Sequence, residues 1–115
     1  ARELQTVIAK FPKVKEFGIF GHLADGNIHV EILGPPAEES DVDTAVLECI
    51  SRYGGSISAE HGIGRMKVDH LDLSRSAEEI AAMRAIKKAW DPQGLMNPGV
   101  LLPVSGEKRP SDAAP

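Results

Sequence analysis

The chain has 115 residues, enough for one domain. Hydrophobic residues make up 42% and charged residues 26%, the balance of a soluble globular protein, and a formal net charge of -4 supplies no basic stripe for a nucleic acid. No apolar run approaches the ~18 residues that span a bilayer. The single cysteine, Cys49, excludes an internal disulfide framework and fits a reducing cytoplasm.

Residues 1–10 read as a short helix, with Leu4, Val7 and Ile8 at helical spacing and Pro12 as its interruption. From Val14 to Leu33 the period changes to two. Ile19, Gly21 and Leu23 share one face with Ile28, Val30 and Ile32. Phe20, His22, Ala24, Asn27, His29 and Glu31 share the other. Asp25-Gly26 between these runs predicts a two-residue type I′ hairpin turn. With those two residues at the centre of the turn, His22 lies directly opposite His29, with Cβ atoms roughly 4.5–5.5 Å apart.

Gly34-Pro35-Pro36 ends the second strand. Residues 41–53 follow as an amphipathic helix, with Val42, Ala45, Val46, Cys49, Ile50 and Tyr53 on its apolar face. Ser40 or Asp41 caps its start, and Gly54-Gly55 closes its end. Residues 55–59 suit a short strand that delivers Glu60 and His61 to a glycine-rich loop. Ser76-Ala77-Glu78-Glu79 has capping-box spacing and opens a helix that runs to about Trp90, before Asp91-Pro92. Residues from Pro103 onward have the composition of a disordered tail. The order α-β-β-α-β-α predicts an α+β fold, a ferredoxin-like antiparallel sheet with helices on one face.

Three of the four histidines fall in two short segments, Gly21–His29 and Ser58–Gly64. Two imidazoles on one hairpin face, with a carboxylate available, make a ligand set for catalytic zinc; manganese or iron(II) can use the same donors. The competing reading is a pair of unrelated polar residues on a solvated strand face. Glu60 and His61 are adjacent, so both serve one site only if the backbone bends between them, and Gly62 and Gly64 make a bend easy. Glu60 would then be the third ligand and His61 a nearby base. Glu31 is either a substrate or ligand contact or a solvated carboxylate. Arg65 and Lys67 either attract an anionic substrate or, the safer reading, make a solvated helix start, and Cys49 reads as inert packing.

GHLADGNIHV, SAEHGIGRMK and DPQGLMNPG, in that order, resemble the C-terminal region of FAD-linked oxidases of the vanillyl-alcohol-oxidase type. The branch is that of the D-2-hydroxyacid dehydrogenases: D-lactate and D-2-hydroxyglutarate dehydrogenases and the D subunit of glycolate oxidase. The resemblance runs from about Phe17 to Leu101. It implies a fragment of a flavoprotein several times longer, whose N-terminal FAD-binding domain is the partner of this chain. Residues 1–102 would be the C-terminal part of the substrate (cap) domain and its closing segment, with 103–115 as the tail.

By the same resemblance His22, His29 and Glu60 are metal ligands, for zinc or another divalent ion, and His61 is the catalytic base. Asn97 lies toward the FAD, and Glu31 lies near the substrate where some relatives have asparagine. The implied reaction binds the substrate's 2-hydroxyl to the metal, passes its proton to His61, and moves hydride from C2 to the flavin, leaving a 2-oxo acid. Ala24 stands where the family usually has glycine, and Val100 where it has lysine. The fragment alone would be inactive. The expected setting is cytoplasmic, with membrane association through partner subunits and self-association as a further option. Two other readings are a flavin-dependent ether-lipid synthase of the same superfamily and a stand-alone metal-binding or interaction module.

Overall fold

A computed structural model of the chain describes residues 1–22, 24–34 and 41–103. The described residues divide into two units, one within residues 1–55 and the other beginning at Ser56.

The first unit is a hairpin with two helices. α1 (Arg2–Ile8) ends well before Pro12 and buries Leu4 and Ile8. β1 (Glu16–His22) and β2 (Asn27–Leu33) form an antiparallel pair. α2 (Asp41–Arg52) buries Val42, Val46, Leu47 and Cys49. Leu4, Ile8, Val46 and Cys49 form the core, and Phe17, Ile19, Val30 and Ile32 pack on it from the hairpin. One face of the hairpin is therefore covered by helices, as its alternation of apolar and polar residues requires. Ile8 is fully buried, a contribution of about 1.5–3 kcal/mol relative to leaving it in water.

α2 ends in a Schellman motif. The Gly55 N–H donates to the Ile50 carbonyl at 3.1 Å and the Gly54 N–H to the Ser51 carbonyl at 2.8 Å, with Gly54 at φ +67. Two residues depart from the expected apolar face. Leu47 is buried, whereas Tyr53 is 71% exposed because its hydroxyl donates to the Glu3 carboxylate. Glu3 also pairs with Arg52 at 3.2 Å, and the hydrogen bond to its carboxylate, followed by its charge, raises the Tyr53 pKa. The expected Ser40 cap lies outside the described residues.

The second unit opens with bends rather than the expected strand at 55–59, and among the described residues the sheet has two strands. The cause is local. Ser56 Oγ accepts the Ser58 N–H at 3.3 Å, which curls the backbone away from a ladder. A 3-10 turn follows at Val68–Leu73 and buries Leu71. α3 (Ala77–Trp90) starts at a complete capping box, in which the Glu79 N–H donates to Ser76 Oγ and the Ser76 N–H to the Glu79 carboxylate. Ile80, Met83, Arg84 and Lys87 form its half-buried stripe. The architecture is α+β, as the sequence predicts. Of the tail, residues 104–115 lie outside the described residues.

Candidate functional site

The hairpin places His22 and His29 on its outer face, but in a register other than the one expected. Phe20 lies opposite His29, and His22 opposite Asn27. The strands end at His22 and resume at Asn27, so four residues connect them rather than two. Asp25 Oδ1 accepts the Asn27 N–H at 3.2 Å, and Gly26 sits at φ +70 while Asp25 does not adopt a positive φ. That Asx turn replaces the type I′ turn. Leu23, inside this connection, lies outside the described residues.

The pairing is displaced by two residues, and a strand's side-chain period is also two. Both histidines therefore stay on the same face, now as diagonal neighbours. Their ring centroids are 5.8 Å apart, edge to face, and a ring nitrogen of each lies within 4.8 Å of the other. Phe20 stacks on His29 at 5.3 Å with an interplanar angle of 7°. The aromatic ring restrains His29, which is half-buried, while His22 is exposed. Two nitrogens on a tetrahedral zinc lie roughly 3.3 Å apart. The pair fits such an ion after a relative movement of at most about 1.5 Å, within reach of side-chain rotation. Glu31 is exposed on the same face, opposite Gly18.

Gly21 decides how closely the two strands approach beside His22. A Cβ there would lie 1.9 Å from the Asn27 carbonyl oxygen and 3.0 Å from the Ile28 Cα. Only glycine fits that contact without moving backbone.

In the second unit, Glu60 and His61 occupy an exposed turn, and the backbone bends as a shared site would require. Ser58 Oγ donates to the Gly62 carbonyl at 2.5 Å, which closes the turn around the pair. Lys67 Nζ donates to the Ile57 carbonyl at 2.9 Å and to Ser58 Oγ at 3.3 Å. Lys67 thus stands at the start of the Val68–Leu73 turn, as expected, but half-buried and bonded to the protein instead of solvated.

Asn97 belongs to a segment bonded to the glycine loop. The Leu101 N–H donates to the Gly64 carbonyl at 3.1 Å, and Arg65 Nη2 reaches the Pro98 carbonyl at 3.5 Å. Asn97 itself is at φ +46. The segment begins at Asp91, which is 8% exposed. Its carboxylate accepts the Leu95 and Met96 N–H groups, each at 2.9 Å, and the ammonium of Lys87. The Lys87 ammonium, followed by those backbone donors, holds the Asp91 pKa down to about 2. Sequence reasoning took Asp91 only as a helix stop. Its place before Pro92 and Gly94 is a turn signal that points to this role.

Residues 2–101 match the family described as FAD linked oxidases, C-terminal domain, and the chain belongs to that family. It is 42% identical over 106 residues to the D-2-hydroxyglutarate dehydrogenase of Stutzerimonas stutzeri, covering 85% of this chain and 23% of the relative. It is 47% identical over 90 residues to that of Xanthomonas citri pv. viticola, covering 71% and 19%. To the glycolate oxidase subunit GlcD of Escherichia coli it is 41% identical over 89 residues, covering 72% and 18%. The chain spans less than a quarter of the length of these relatives. No solved structure matches it.

Proposed function

We propose, from the premise that the chain belongs to the FAD-linked oxidase C-terminal family, that it is the substrate-domain part of an oxidoreductase. The whole protein would oxidise a D-2-hydroxy acid of the 2-hydroxyglutarate or glycolate type to the 2-oxo acid. The relatives named above support this class of substrate. The observation that carries the site is the meeting of His22 and His29 on the outer hairpin face.

In this reading His22, His29 and Glu60 hold a divalent ion, and two imidazoles with one carboxylate suit zinc. His61 takes the proton of the substrate's 2-hydroxyl, and Phe20 keeps the His29 ring in place. Glu31, on the histidine face, meets the substrate and disfavours a second carboxylate there. Asn97 lies on the flavin side. A bound metal would supply acidification of the 2-hydroxyl, and FAD, held mainly by an N-terminal domain, would supply the hydride acceptor. Residues 1–102 serve as substrate domain and closing segment. The setting is cytoplasmic, which the single buried cysteine supports. Among the described residues no helix is long and apolar enough to cross a membrane.

Calorimetric titration of the metal-stripped chain with zinc tests the ligand set. One ion should bind, and His29→Ala should abolish binding. Absence of binding by the wild-type chain refutes a metal site preformed in this chain. Turnover of glycolate or D-2-hydroxyglutarate by the chain alone would refute the need for a separate flavin domain.

A further inference from the structure

We propose that Lys67 is a positioning residue for the Glu60–His61 turn, a role that rests on the reading of those two side chains given above. Lys67 is bonded to both stems of the turn. Ahead of Glu60, its ammonium donates to the carbonyl of Ile57, which is 3% exposed, and to the hydroxyl of Ser58. Beyond His61, its own N–H donates to the Ile63 carbonyl at 3.2 Å. The proton directions agree along the chain of bonds. Ser58 gives its single hydroxyl proton to the Gly62 carbonyl, so its lone pairs are left to accept from the ammonium. The half-buried cation ties residues 57 and 58 to Lys67, whose backbone reaches Ile63, and Ser58 carries the link on to Gly62, with Glu60 and His61 at the tip of the loop.

An ammonium used to attract an anionic substrate would keep its donors for solvent and ligand. Two of the three N–H donors of Lys67 are spent on the protein. Without them the Ile57 carbonyl loses a charged donor, and Ser58 loses the ammonium that braces its hydroxyl toward the Gly62 carbonyl. Metal ligands are fixed by such outer contacts, and losing one typically weakens binding 10- to 100-fold.

The test compares wild type, Lys67→Met, Ser58→Ala and the double variant by zinc calorimetry and by amide NMR of Ala59–Gly62 and of α3. Lys67→Met keeps the unbranched stem and removes the donors. Its zinc affinity should fall about 10- to 100-fold, with the Ala59–Gly62 resonances shifted and those of α3 in place. Ser58→Ala should weaken binding in the wild-type background and add little in the Lys67→Met background, because the two act as one device. Should Lys67→Met lose the α3 resonances, Lys67→Gln replaces it. Wild-type zinc affinity in the folded Lys67 variant overturns the proposal, whether or not the turn resonances move. If the wild-type chain binds no zinc, the metal reading fails by itself. The turn resonances then decide for Lys67: displacement supports it and identity with wild type overturns it.

Discussion

Replacing Gly21 with alanine should open the end of the hairpin that carries His22. The new Cβ would stand 1.9 Å from the Asn27 carbonyl oxygen and 2.9 Å from its carbon. A carbon and an oxygen in ordinary contact are roughly 3.2 Å or more apart, so the strands must separate by about 1 Å or more. The obstructing atoms are backbone and cannot rotate away. Overpacking of this kind costs ~1–3 kcal/mol. Asn27 is also the pairing partner of His22, so the displacement moves one imidazole relative to the other.

Side-chain rotation already has to bring the two imidazoles together by up to about 1.5 Å, and strand separation adds to that movement. Zinc binding should therefore weaken about 10-fold. Gly18→Ala is the control on the same strand. Its Cβ meets nothing within 4 Å and its φ is not left-handed. That change should leave zinc affinity unaltered and stabilise the chain by up to ~1 kcal/mol. Urea melts and zinc calorimetry of both variants provide the assay. If Gly21→Ala melts and binds zinc like wild type, the close approach does not set the histidine geometry.

Ile8→Ala, which empties a fully buried position in the core of the first unit, should cost ~2–5 kcal/mol in urea unfolding; a loss under 1 kcal/mol would mean the helix repacks. Ser76→Ala removes the acceptor of the Glu79 N–H and should lower stability by ~1 kcal/mol, with amide exchange in the first turn of α3 as the local readout. Asp91→Asn should lower stability most above pH ~4. The Asp91 pKa is depressed, so its contribution is complete above the unfolded-state value near 3.9 and is lost as pH falls toward about 2. The gap between wild-type and variant urea midpoints should therefore close between pH 4 and 2, and a constant gap would refute the assignment.

What the sequence determined by itself is what depends on near neighbours. The 3.6 period of α1, α2 and α3, the Ser76 cap, the Gly54-Gly55 stop and the division of the hairpin into an apolar and a histidine face all follow from residues a few positions apart. The histidine face survived a two-residue difference in pairing because side-chain direction depends only on parity. The three motifs also carried the family, through a resemblance of the residues themselves that needs no folding at all.

The tertiary structure alone decided the register and the surroundings of Lys67, Asp91, Leu47 and Tyr53. Each turns on a partner that no local period encodes. Gly21 fixes the approach to Asn27 across a turn, and Lys67 finds the carbonyl of Ile57 ten residues away. Asp91 is read locally as a helix stop, yet two backbone donors and an ammonium converge on its carboxylate once the chain has turned. Tyr53 lies at the apolar spacing of α2, but Glu3 draws its hydroxyl to the surface. A hydrogen bond costs little to make and much to leave unmade when buried, so such groups are assigned only when the fold brings donors and acceptors together.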